Sequence, residues 1–234
     1  MEKETNSYLK GMLTGIGVIF LYLIAYSFPI EFINSIGINY YKLSPVMKQL
    51  ATTLYELGLT LIIIYIYRKD FIPNFKDFFK NIKSYLDKYF KYWILVLVLM
   101  ITSNIIISPF TTLATSENQQ AVIDSLKSFP IYTIIFTIIT GPILEELVFR
   151  LSFRKIFKHS KILFIIFSGL IFGALHVVGS LSDLSNLLFI IPYSIPGFIF
   201  AYVYAKSDNI AVPISLHFIH NTVMVLLQLI VIFK

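Results

Sequence analysis

Glu145-Glu146-Leu147-Val148-Phe149-Arg150 places three formal charges inside an apolar stretch running from Ile131 to Phe157. In hydrocarbon each charge costs at least about 2.5–3.5 kcal/mol on insertion scales, so such residues are functional candidates facing an interior or a wet cavity. Glu146 and Arg150 are four apart, share a helix face and stand in the order that suits the helix dipole. Glu145 lies about 100° around the helix, outside that pairing. The division assigns Glu146 to structure and leaves Glu145 free to act as a general base. The competing reading makes all three one buried ion network that locks helices together.

The chain has four histidines, and three of them fall in apolar helical stretches, where a ring must find polar partners. His176 closes Phe172-Gly173-Ala174-Leu175-His176, and His217 and His220 belong to His217-Phe218-Ile219-His220-Asn221. His159, in the basic segment from Arg154 to Lys161, reads as solvated. His217 and Asn221 share one helix face, with His220 beside it. Carboxylates, histidines, an arginine and an amide on three apolar segments imply convergence on one polar cavity. Two chemistries stay open there. One is a carboxylate-activated water. The other is a zinc site of Glu145, His176 and His217 with an open position for water, although the helical His-Glu-x-x-His signature is absent.

In this order on successive helices, Glu-Glu-x-x-x-Arg, Phe-x-x-x-His and His-x-x-x-Asn resemble the CAAX prenyl endopeptidase and bacteriocin-immunity (Abi) family of intramembrane proteases. The resemblance covers about residues 130–225; before that, the chain matches only in being hydrophobic and helical. It implies that Glu145 with His176 activates a water for attack on a peptide carbonyl. His217 and Asn221 would stabilise the oxyanion, and Glu146 with Arg150 would support the site. It implies a mechanism without metal or other cofactor, and it gives no role to His220.

Seven apolar segments must position these residues, at roughly 11–28, 50–67, 92–109, 131–157, 162–179, 186–205 and 210–233. Each is long enough to cross a hydrocarbon core of about 30 Å as a helix. With 57% hydrophobic and 14% charged residues, against about 25% charged in soluble domains, the chain reads as an all-α polytopic membrane bundle. Fourteen Lys and Arg fall on one side of these spans and four on the other. This asymmetry predicts a cytoplasmic N-terminus, and the composition hints at a prokaryotic plasma membrane. No small-residue cleavage site follows the first span, which reads as retained. Between the second and third spans, apolar positions from Phe71 to Trp93 keep helical spacing with Lys76, Lys80, Lys83, Lys88 and Lys91 between them. That pattern predicts an amphipathic helix at about 71–91 on the cytoplasmic interface, its lysines toward anionic lipids. The segment 110–129 is polar, a cap over a cavity mouth or a plain solvated loop. Residues 1–129 thus form an N-terminal set of helices, and 130–225 a catalytic core in the same bundle.

The absence of cysteine excludes disulfides and thiolate chemistry. The net charge of +6 is explained by topology, without nucleic acid. The expected function is hydrolysis of a peptide bond in a membrane-associated or lipidated peptide or protein. The alternative is a non-catalytic immunity or regulatory protein with the same polar cavity. A proton-coupled transporter fits less well, because the polar residues crowd into the C-terminal half without an inverted repeat.

Overall fold

The computed structural model describes residues 2–178 and 183–233. Gly179, at the end of the fifth expected span, lies outside the described residues, as does Lys234 just past the seventh. The order is α1 (Glu2–Ser27), a short α2 (Pro29–Ser35), α3 (Pro45–Ile66), α4 (Arg68–Lys80), α5 (Ile82–Ile107) and α6 (Glu117–Ser128). A broken helix then runs through Pro130–Ile156, followed by α10 (Lys161–Leu175), α11 (Ile190–Ser207) and α12 (Ala211–Ile232). No strand occurs among the described residues. Among the described residues, six helices are long and apolar enough to cross a membrane. The fifth expected span, α10, has 15 residues, about 22 Å at 1.5 Å per residue. It is a partial span that ends inside the bundle beside His176.

Two further boundaries differ from expectation. The amphipathic segment is two helices: α4 stops at Asn81, and residues 82–91 are the first turns of α5. Both pieces keep helical spacing, so periodicity could not show the break. The polar stretch after α5 folds into α6, whose N-cap Ser116 accepts a hydrogen bond from the Gln119 amide, and its leading segment is tied to residues 183–193. Thr112 donates to Asp183, the Leu113 amide donates to Asn186, and Ser116 meets the Tyr193 hydroxyl at 2.7 Å. The hydrogen bonds from Thr112 and from the Ser185 hydroxyl and amide hold the Asp183 carboxyl below the usual carboxylate range.

The broken helix carries the carboxylates between two π turns, Phe136–Thr140 and Leu147–Ser152, with α7 (Pro130–Ile135), α8 (Gly141–Glu146) and α9 (Phe153–Ile156) as its α-helical pieces. Such bulges often mark functional sites. Here Gly141 N–H bonds to the Phe136 carbonyl five residues back. The next donor in that register would come from Pro142, which has no N–H, so the Thr137 carbonyl loses its helical partner. In the second bulge the Ser152 hydroxyl donates to the Leu147 carbonyl at 3.1 Å, and the Tyr67 hydroxyl donates to Ser152 at 2.7 Å.

Close helix approach fixes the remaining geometry. α10 carries Gly169 and Gly173 four apart, the small-residue spacing of membrane helix contacts, and meets Gly197 of α11. A Cβ on Gly197 would lie 2.7 Å from the Gly169 carbonyl oxygen. At the opposite flank, Asp208 takes a left-handed φ of 52°, a conformation Asp tolerates, and turns α11 into α12. The adjoining Asn209 is gripped by α4, donating to the Asn74 carbonyl at 3.0 Å and to Asp77 at 2.9 Å, while the Ile210 amide donates to the Asn74 side chain at 2.6 Å. Hydrogen bonds from Tyr85, then Asn209 and Asn81, hold the Asp77 carboxyl below its ordinary range. Asp70 of α4 also pairs with Lys155 of α9 at 2.9 Å.

Candidate active site

Glu146 and Arg150 have no exposed surface. Arg150 Nε lies 3.1 Å from Glu146 Oε2, its Nη2 donates to the Pro196 carbonyl at 3.2 Å, and its guanidinium stacks 4.3 Å over the Phe172 ring. One arginine thereby joins the broken helix to both α10 and α11. The other oxygen of Glu146 accepts from His217 Nδ1 at 2.9 Å. A paired, ionised carboxylate can only accept there, so Nδ1 carries the proton and Nε2 points elsewhere. It points at Glu145, whose Oε2 is 3.8 Å away. Glu145 keeps 23% of its side chain exposed. The expected split between a paired Glu146 and an open Glu145 is present, with His217 linking the two.

His176 caps α10 and is half-buried. Its Nδ1 donates to the Phe172 carbonyl at 2.8 Å, which leaves Nε2 as the acceptor in the neutral ring. Its ring stacks on Tyr193 with centroids 4.8 Å apart and on Phe172 at 4.5 Å. Phe172 also meets the His217 ring at 6.0 Å, so it separates the two imidazoles and fixes both. Asn221 donates one amide hydrogen to the Thr137 carbonyl at 2.8 Å, the group orphaned by Pro142. Its second hydrogen stays available. His220 is 6% exposed, and its Nδ1 has no hydrogen-bond partner among the described residues. Tyr8 covers His159 edge-on at 4.7 Å, so that histidine belongs to the α1 contact and not to the cluster.

Among the described residues no three His, Asp or Glu side chains converge as a metal-ligand set. His217 directs Nδ1 to Glu146, and its Nε2 faces Glu145 at 3.8 Å. Sequence reasoning missed Tyr193 and Glu56. Tyr193 belongs to a segment whose aromatic content blends into the apolar background. Glu56 sits in α3, where a polar residue every three or four positions was the available signal.

A polytopic helical bundle holding a buried carboxylate–histidine cluster defines an integral, multi-pass membrane protein. Residues 127–223 match the family model described as Type II CAAX prenyl endopeptidase Rce1-like, the same kind of family that the three motifs resemble. The chain is 39% identical over 116 residues to the Bacillus subtilis protein named "Putative membrane peptidase YdiL", covering 49% of this chain and 44% of that one. It is 35% identical over 122 residues to the membrane-embedded CAAX protease MroQ of Staphylococcus aureus, covering 49% and 46%. It is 38% identical over 107 residues to the UPF0177 protein YajF of Lactococcus lactis, covering 42% and 51%. The chain spans about half the length of the curated relatives it matches. No solved structure matches it significantly.

Proposed function

We propose that the protein is an intramembrane peptidase that hydrolyses a peptide bond of a membrane-associated peptide or protein. The observation that carries this reading is the unequal environment of the two carboxylates: Glu146 is sealed against Arg150 and His217, while Glu145 is open beside both histidines' end of the cluster. In the proposed reaction Glu145, assisted by His176 Nε2, takes a proton from water as its oxygen attacks the peptide carbonyl. Breaking the C–N bond then sends that proton to the leaving amine. His217 donates from Nε2 to the oxyanion as a doubly protonated ring, with Glu146 as its counter-charge. Asn221 adds its second amide hydrogen. Donors held by such bonds need no rearrangement when charge develops.

The N-terminus faces the cytoplasm in this reading, and the exposed lysines of α4 and α5 rest on anionic lipid. The decisive experiment is Glu145→Gln, which keeps the shape and removes the base. Peptide cleavage by the purified protein in nanodiscs is expected to fall about 10²–10⁴-fold with an unchanged melting temperature. Full activity of that variant ends the proposal.

A further inference from the structure

On α3, Gln49, Thr53, Glu56 and Thr60 follow one another at spacings of four, three and four, which is one helix face. Thr53 and Thr60 are buried, so this face is turned into the bundle and away from lipid. Glu56 lies about 15 Å from either end of the helix at 1.5 Å per residue. Among the described residues no Lys, Arg or His reaches it within ion-pair distance. A carboxylate at mid-span without a counter-charge calls for a partner.

The residues around it specify that partner's chemistry. Tyr55, next to Glu56, donates to the Ala25 carbonyl beside Tyr26 at 2.8 Å, and α3 packs on both α1 and α8, the piece that carries Glu145. The Tyr22 and Tyr26 rings stack with centroids 5.3 Å apart, and Tyr22 packs edge-on to Phe149 at 5.6 Å, one turn beyond Glu145. Tyr22 is buried and belongs to the core beside Phe149. Arg150 is committed to Glu146. Carboxylate oxygens beside stacked aromatic faces attract an ammonium or guanidinium through charge and ring quadrupole together, whereas a neutral side chain leaves the carboxylate unpaired.

We infer that Glu56, Tyr22 and Tyr26 form a subsite for a basic side chain of the peptide presented to Glu145. The inference rests on the peptidase reading for what is bound, and binding and cleavage are measured separately. The probes are fluorescent hydrophobic peptides that differ in one residue, lysine or norleucine, placed at each position in turn. They are titrated into the full chain in nanodiscs. The parent is expected to prefer the lysine peptide by about tenfold at one or two positions. Glu56→Gln is expected to bring that ratio near one. Tyr26→Leu, at a 56% exposed position that does not hold the core, should lower the ratio as well. Equal binding of every pair by the parent, or a preference that survives both substitutions, overturns the subsite. A Glu56-dependent preference without any cleavage leaves the subsite standing and removes the peptidase reading. Cleavage that needs Glu145 but ignores lysine does the reverse.

Discussion

Glu146 has no exposed surface and meets Arg150 at 3.1 Å and His217 at 2.9 Å, so its charge is held in place by partners that are themselves buried. Removing one partner of a buried pair strands the other, at a cost of about 3–5 kcal/mol. Glu146→Ala and Arg150→Ala are therefore expected to lower the melting temperature of the detergent-purified protein sharply, while Glu145→Gln melts with the parent. A Glu146→Ala variant that melted like the parent but lost all turnover would make the two carboxylates a catalytic pair. The Glu146–Arg150 contact was legible in the sequence because a spacing of four fixes it within one helix. The bond from His217 to Glu146 joins residues 71 positions apart and depends on how α12 is rotated, which no local spacing records. Glu56 was legible only as part of a stripe, and a single acid in an apolar run does not show which way its face turns.

The broken helix is where backbone chemistry and side-chain chemistry meet. Pro142 removes the donor that the Thr137 carbonyl would use in the π register, and Asn221 Nδ2 replaces it at 2.8 Å. Asn221→Ala should cost about 1–3 kcal/mol, the penalty for a buried polar group left unpaired. In a Pro142→Ala background the restored N–H serves the carbonyl, and the same Asn221 substitution should cost less. A double-mutant cycle by chemical denaturation measures the difference, expected at about 1 kcal/mol. Additivity would mean that Asn221 does not act as that cap. The helix itself was legible from its apolar length, with bounds one residue from those observed, because hydropathy sees composition. The π turns were not, since they arise from where α12 and Tyr67 supply hydrogen bonds. The early end of α10 was hidden for a similar reason, as apolar residues continue past the point where the helix stops.

Across the whole molecule, arrangement depends on the crossing of α10 and α11, which sets Phe172 and His176 against the rest of the cluster. Gly197 faces the Gly169 carbonyl oxygen at 2.7 Å and its Cα at 2.9 Å from the position a Cβ would take. Those are backbone atoms, so the helices must separate to admit a methyl group. Gly197→Ala is expected to destabilise by about 1–3 kcal/mol, the usual cost of overpacking. Gly58→Ala, with nothing within 4 Å of its added Cβ, should be neutral or stabilising by up to about 1 kcal/mol. Thermal melts of the two variants side by side test this, and equal effects would show that the crossing is loose. At the other end of the bundle, the grip of Asn74 and Asp77 on Asn209 and Ile210 ties α12 to an amphipathic helix. His217 follows only six residues after Ala211, about 9 Å along α12. With α4 at the water line, as proposed above, that helix would set the draught of the His217 ring. When hydrocarbon thickens or thins, the spans tilt to follow it, but His217 would keep its depth below the surface on which α4 is proposed to ride, as a keel does below a hull.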